Sequence, residues 1–249
     1  RTRFDKVHEL DAESRHLVLL CENEEGYRNL SYLVSMGWTE GFYIKPRIDL
    51  ALLRQHSEGL IALSACLAGE IPRQLLAGDY DKALEKTQEL AEIFGPDHFY
   101  LELQDHGLPE QQRVNAGILR LARQTGLPLV VTNDAHYLRK SDSELHDVLL
   151  CIQTGKTMDD PDRLRFQTDE FYLKSEEELR ALFAQVPEAF SNTEEIARRC
   201  NVEITFGKYH LPAFQYPAGY DGWSYFEKLC LDGFARRYPD SPPGYRERL

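Results

Sequence analysis

A carboxylate and an imidazole stand one residue apart in the stretch 127–138, directly after a short apolar run. Residues 129–131 (Leu-Val-Val) form that run, and their lack of polar alternation is typical of a strand buried on both faces. Asp134 and His136 follow. In an extended backbone, residues i and i+2 project to the same side, so one carboxylate oxygen and one imidazole nitrogen can converge on a metal ion. A turn at Asp134 with a local hydrogen bond from His136 is the alternative interpretation.

Two further ligand-type side chains follow other apolar runs. Residues 60–64 precede Cys66, and residues 99–103 precede His106. In α/β folds, ligand sites gather at the carboxyl ends of the strands. Taken separately, each residue has an alternative interpretation. Cys66 is then a small buried apolar residue, and His106 is part of a turn before Gly107.

Together, a thiolate, two imidazoles and a carboxylate suit Zn²⁺, with Mn²⁺ or Fe²⁺ as alternatives. We therefore predict a divalent metal site formed by Cys66, His106, Asp134 and His136. Such an ion lowers the pKa of a bound water to about 7 and polarises a phosphoryl oxygen, which favours hydrolysis over redox chemistry. Four ligands serve one tetrahedral ion and are too few for a two-metal site.

Three nearby residues keep open roles at this point. Glu102 is either a ligand or a partner that holds a histidine in place. His16 opens a strand instead of ending one, which favours a structural role. His146 lies on the helix after the Asp-x-His pair, and its role stays undecided.

The elements that must position these side chains alternate between strand and helix. Apolar runs at 16–21, 60–64, 99–103 and 129–131 predict four strands, and apolar residues at helical spacing predict intervening helices, which together indicate an α/β fold with a mostly parallel sheet. The chain after His136 is mostly helical. The predicted segments there are helices at 141–152, 187–200 and 223–237, and a short strand at 202–206.

Composition restricts the function classes. The chain has 249 residues and a formal net charge of −12, so it is not expected to hold nucleic acid by general electrostatics, which needs clustered Lys and Arg. Five scattered cysteines without a Cys-x-x-Cys pair argue against a disulfide framework and favour the cytoplasm. No apolar run reaches the roughly 18 residues of a membrane span, so no membrane association is expected.

Several long motifs together are similar to one family. The chain resembles the PHP (polymerase and histidinol phosphatase) domain of bacterial DNA polymerase III alpha subunits. The stretches that carry this resemblance are Asn23-Glu-Glu-Gly-Tyr-Arg-Asn-Leu30, Gly41-Phe-Tyr-Ile-Lys-Pro-Arg-Ile-Asp49, Gly59-Leu-Ile-Ala-Leu-Ser-Ala-Cys-Leu-Ala-Gly69, Phe99-Tyr-Leu-Glu-Leu-Gln-Asp-His-Gly107, Val131-Thr-Asn-Asp-Ala-His-Tyr137, Cys151-Ile-Gln-Thr-Gly155 and Ala197-Arg-Arg-Cys-Asn201.

The resemblance implies an α/β fold of the PHP type, a distorted (β/α)7 barrel whose metal ligands come from strand ends. Cys66, His106, Asp134 and His136 match ligand positions of the family. It further implies a PHP domain over 1–207, N-terminally truncated, because the family's opening His-x-His strand is absent. Residues 208–249 are then a mostly helical connector and the start of the polymerase palm.

For the whole protein, the resemblance implies template-directed DNA synthesis in replication. The PHP region would be a metal-dependent 3′–5′ exonuclease or a structural and docking domain. The implied partners are DNA and dNTPs through a polymerase core that uses Mg²⁺, a proofreading subunit, the sliding clamp and other replicase subunits. The alternatives are a stand-alone phosphoesterase of the histidinol phosphatase type and a metal-free partner-binding domain.

Overall fold

Four short strands form one sheet in the computed structural model, which describes residues 1–95, 97–209, 211–241 and 244–249. The strands lie side by side in chain order, with β1 antiparallel to β2, while β2, β3 and β4 run parallel. β2, β3 and β4 are buried at every position, which fits their apolar sequences apart from Glu102 on β3, and β1 is only half-buried. The strands are β1 (Val18–Cys21), β2 (Leu60–Leu63), β3 (Phe99–Leu103) and β4 (Leu129–Val131).

Helices connect the strands and continue beyond the last one. The α-helices are α1 (His8–Asp11), α2 (Glu24–Thr39), α3 (Leu50–Gln55), α4 (Glu70–Leu76), α5 (Tyr80–Phe94), α6 (Pro109–Thr125), α7 (Ser143–Thr154), α8 (Glu176–Leu182), α9 (Glu188–Arg199) and α10 (Gly222–Arg237). Short 3-10 helices cover Lys140–Asp142 and Arg246–Arg248.

The chain around α6 illustrates how local sequence sets these boundaries. Pro109 occupies the first turn of α6, where its missing N–H costs no hydrogen bond, and Gly126 ends the helix in the left-handed region. Val114, Ile118 and Leu121 recur at helical spacing and are buried in the main core. That core lies on one face of the sheet. After Gly126 the chain enters β4 and then reaches the side chains that follow it.

A glycine pair lets α2 approach the loop before β2. A Cβ atom at Gly26 would lie 1.8 Å from the carbonyl oxygen of Gly59, and Gly59 itself has a φ of +71°. Only a residue without a side chain fits at Gly26, so the close contact depends on this pair.

The α/β fold class and the mostly parallel sheet of four strands are as predicted, with β1 as an antiparallel edge. The sheet is open within the described residues, so a closed (β/α)7 barrel is not what the structure shows here. The predicted strand at 202–206 is wrong: these residues form irregular structure and a turn, and they are mostly exposed. Among the described residues, their backbone groups form no hydrogen bond with a strand.

The chain divides into two compact units, Arg1–Glu203 and Ile204–Leu249. The first contains the sheet and α1 to α9, and the second contains α10 and the 3-10 helix Arg246–Arg248. Within the described residues, no helix combines the length and the apolar character that crossing a bilayer requires.

Candidate functional site at the carboxyl edge of the sheet

The predicted ligands follow three adjacent parallel strands. Cys66, His106 and Asp134 each stand three residues beyond the last residue of β2, β3 and β4, respectively. Because parallel strands end at the same edge of a sheet, all three emerge at its carboxyl edge, where α/β proteins place their ligands. His136 lies two residues farther along the last of these loops.

Cys66 and Asp134 line one cavity of about 930 Å³. His16 and Glu102 line it as well, together with the carboxylates of Asp11, Glu13, Asp49 and Glu70. The Cys66 Sγ atom lies 3.6 Å from Nδ1 of His16, which adds an imidazole that the sequence pattern did not assign to the site. Burial raises the pKa of the Cys66 thiol, and the carboxylates of Asp134 and Glu102 raise it further.

His106 is buried and makes hydrogen bonds through both ring nitrogens. Its Nε2–H donates to the carbonyl oxygen of Asn133 at 2.7 Å. Its Nδ1 accepts from the Gln111 amide at 2.6 Å, while the backbone N–H of His106 donates to Gln111 Oε1 at 2.7 Å, which fixes the orientation of that amide. Phe171 stacks on the ring with a centroid distance of 4.0 Å. Burial lowers the pKa of His106, which favours the neutral ring.

His136 is exposed and has a different tautomer. Its Nδ1–H donates to the carbonyl oxygen of Asp134 at 2.8 Å, so the Nε2 lone pair is left for a ligand. This is the arrangement in which histidines bind metals, one nitrogen donating to a carbonyl and the other coordinating. The ring packs edge-on against Phe166 at 4.8 Å and lies 5.9 Å from His146, measured between ring centroids. Burial, then the neighbouring His136, lowers the pKa of His146.

The backbone is strained at one predicted ligand and directly before another. Ala65 has a φ of +66° and Asp134 a φ of +46°, both in the left-handed region that non-glycine residues seldom adopt. Ala65 directly precedes Cys66. Strain of this kind costs on the order of 1–3 kcal/mol per residue and persists only where surrounding contacts enforce it.

The four predicted ligands do not fit one tetrahedral ion as they are placed. In the part of the chain that the structure describes, no three His, Cys, Asp or Glu side chains are grouped so as to hold a metal. His106 has no free lone pair, because Gln111 and Asn133 engage both of its nitrogens. Cys66 and Asp134 suit a divalent cation by donor type and share a cavity, and His136 suits one by its tautomer.

Sequence reasoning missed the residues that hold the candidate ligands. Gln111 stands five residues after His106, at the start of α6, and its apolar-helix context gives no sign of its contact with a histidine. Phe166 and Phe171 come from a loop about 30 residues beyond His136. His16 had been assigned only a structural role. Its contact with Cys66 becomes visible only in the folded chain, where both residues line one cavity.

Comparisons with known proteins agree with the motifs. Residues 3–106 match the PHP domain family. The whole chain aligns with DNA polymerase III subunit alpha of Thermus aquaticus at 46% identity, covering 21% of that protein. The same subunit of Treponema pallidum (strain Nichols) is 46% identical over 95% of the chain, and that of Borreliella burgdorferi is 42% identical over 98%. The chain spans about a fifth of the length of these relatives.

Proposed function

We propose that this chain belongs to the PHP-containing DNA polymerase III alpha subunits and is part of a replicative DNA polymerase. The observation that carries the proposal is the 46% identity that extends over all of the chain. The whole protein would carry out template-directed DNA synthesis. Since the chain covers only about a fifth of its relatives, we assign nucleotidyl transfer, its Mg²⁺ and the binding of DNA and dNTPs to the remainder of the protein.

Within this protein, residues 1–207 would be the PHP domain, and residues 208–249 a connector and the start of the palm. The compact unit Arg1–Glu203 and the separate unit Ile204–Leu249 support a boundary in this region. In the whole protein, further strands would close the open sheet into the distorted (β/α)7 barrel that the resemblance implies. The net charge of −12 supports a role in which this segment contacts other proteins more than the DNA backbone. Its partners would be the proofreading subunit, the sliding clamp and other replicase subunits.

The PHP region would contribute Cys66, His106, Asp134 and His136 to a divalent metal centre, with Zn²⁺ as the first candidate and Mn²⁺ or Fe²⁺ as alternatives. When bound, such an ion would activate water for phosphodiester hydrolysis, the chemistry of a 3′–5′ exonuclease. The shared cavity of Cys66 and Asp134 and the free Nε2 of His136 support this assignment. For His106 to become a ligand, its Nδ1 would have to give up the hydrogen bond from the Gln111 amide and bind the ion instead.

A metal analysis of the full-length protein tests this centre. We expect His136→Ala and Cys66→Ser to lower the bound metal and abolish 3′–5′ degradation of a labelled primer, while primer extension with dNTPs and Mg²⁺ continues. Cys200→Ser is a matched control, because Cys200 is also half-buried but lies at the end of α9. Full metal content and undiminished degradation in both site variants would reject the centre. Failure of the wild-type protein to extend any primer would reject the polymerase assignment.

A metal-free docking domain is the second candidate, because two observations favour it. The ring of His106 is saturated by protein hydrogen bonds, as in a structural residue. In addition, α7 exposes an apolar face formed by Leu145, Leu149 and Ile152, which are 66%, 61% and 71% exposed. Wild-type protein that holds no metal after purification in metal-supplemented buffer, and that keeps its melting temperature in chelator, would favour this reading.

A further inference from the structure

A single buried carboxylate ties together the ends of the three parallel strands. Glu102 lies on β3, the middle strand, and is 5% exposed. Its Oε2 accepts a hydrogen bond from the backbone N–H of Ala65 at 2.9 Å, beyond the end of β2. Its Oε1 accepts from the hydroxyl of Thr132, the first residue after β4. The carboxylate therefore holds both neighbouring loops at once.

Two more contacts fix Glu102 itself. Gln104 donates from Nε2 to Glu102 Oε1 at 2.9 Å, and the backbone N–H of Glu102 donates to Ser64 Oγ at 2.9 Å. Gln104 also donates to Thr132 Oγ1 at 3.1 Å, which closes the network towards β4. Gln104 Oε1 is buried without a hydrogen-bond partner among the described residues. An unsatisfied buried acceptor is costly in a protein interior, so Gln104 Oε1 is the one point among the described residues at which this network departs from full hydrogen bonding.

The two loops that Glu102 holds carry the strained residues. Ala65, with its φ of +66°, directly precedes Cys66, and Thr132 stands two residues before Asp134, whose φ is +46°. A charged acceptor for the Ala65 N–H is the kind of contact that can enforce the left-handed backbone there. Both strained positions direct a side chain into the same cavity, which Glu102 also lines.

We propose that Glu102 is a positioning residue. By anchoring the loops after β2 and β4, it keeps Cys66 and Asp134 in place at the shared cavity. It acts through Ala65 and Thr132 and needs no contact with a bound ion. The inference rests on the proposed metal centre, because Cys66 and Asp134 are proposed ligands of that centre. The positioning itself is a property of the chain and is measurable without metal.

Hydrogen exchange with mass spectrometry on the full-length protein, metal-free, tests the anchoring. Glu102→Gln places an amide N–H₂ among three donors, so one of the hydrogen bonds must break. We expect exchange at the Ala65 amide to accelerate about 10- to 100-fold, in line with the loss of a hydrogen bond to a charged acceptor. Peptides covering α9 serve as the internal reference, and Glu85→Gln, at an exposed glutamate on α5, is the matched control. Unchanged exchange at Ala65 in Glu102→Gln would overturn the proposal.

A spectroscopic measurement with Co²⁺ alone then separates positioning from general structural support. We expect the thiolate-to-cobalt absorption of the wild-type protein to weaken in Glu102→Gln and in Thr132→Val, and to return in Thr132→Ser, which restores the hydroxyl. Thr132→Val removes only one of the three donors to the Glu102 carboxylate. It therefore tests the proposal even if Glu102→Gln does not fold. Where the wild type shows a band, equal bands in Thr132→Val and Thr132→Ser would overturn the proposal. Faster exchange in Glu102→Gln together with no cobalt band in the wild type would support the anchoring and reject the metal centre.

Discussion

Replacing Gln111 by Leu tests whether the placement of His106 depends on one side chain. Gln111 is 4% exposed and bonds His106 twice, accepting from its backbone N–H at 2.7 Å and donating to its Nδ1 at 2.6 Å. Leucine has a similar size but can do neither. The backbone N–H and the ring nitrogen would then be buried without partners, because the surroundings exclude water.

The expected loss follows from these two bonds. An unsatisfied buried N–H costs about 1–3 kcal/mol, and the lost bond to the ring nitrogen adds about 1 kcal/mol, so the free energy of unfolding should fall by about 2–4 kcal/mol. That is a large part of the 5–15 kcal/mol typical of a domain, yet small enough for Gln111→Leu to remain folded. A urea titration followed by circular dichroism should show a lower midpoint with an unchanged slope.

Gln112→Leu is the matched control, because Gln112 is the next residue of α6 and is exposed. Its substitution should change stability by no more than about 0.5 kcal/mol. A midpoint for Gln111→Leu equal to that of Gln112→Leu would refute the claim that these hydrogen bonds hold His106. Metal binding adds a second readout: a ligand role for His106 predicts that full-length Gln111→Leu, with Nδ1 released, binds Zn²⁺ at least as tightly as the wild type. Weaker binding would contradict that role.

Three further predictions concern other parts of the chain. The Tyr172 hydroxyl donates to Glu178 at 2.6 Å, which raises the pKa of Tyr172 to about 12. The contribution of this pair to the free energy of unfolding should therefore be complete below pH 10 and lost as the pH rises towards 12. A difference absorbance titration against Tyr172→Phe should show ionisation near pH 12, and this ionisation should move to lower pH in Glu178→Gln. Gly26→Ala should lower the free energy of unfolding by about 2–4 kcal/mol, since its Cβ would overlap the carbonyl of Gly59. Gly233→Ala, in open space on α10, should instead raise helix stability by up to about 1 kcal/mol in the same urea titration.

The strands were predictable because each is a short apolar run bounded by polar residues. The predicted ranges 99–103 and 129–131 coincide with β3 and β4, and 60–64 differs from β2 by one residue. The segment 202–206 was misassigned because alternating apolar residues specify a strand only where another strand offers a pairing edge. Pairing partners lie elsewhere in the chain, and the pattern within one segment carries no information about them.

The sequence predicts at which edge of the sheet the candidate site lies, but it does not predict the side-chain contacts within the site. The rule that parallel strands end together brought Cys66, His106 and Asp134 to one edge without any knowledge of side-chain contacts. Which nitrogen of a histidine is free depends on the acceptors and donors around it. Asn133 and Gln111 decide this for His106, and neither residue stands at a spacing that any periodicity would single out.

The distribution of strain gives an independent reason to regard this edge as functional. Among the described residues, four non-glycine positions have a positive φ, and two of them, Ala65 and Asp134, flank or form the cavity. A fold selected for stability alone would have placed glycine at these turns, because glycine adopts the left-handed region without a steric penalty. At Asp134 glycine would remove the carboxylate itself. Ala65→Gly should relieve the strain at little structural cost but loosen the turn before Cys66. A stability equal to or above the wild type, with faster exchange confined to that turn, is the result expected if the strain serves to position the thiol.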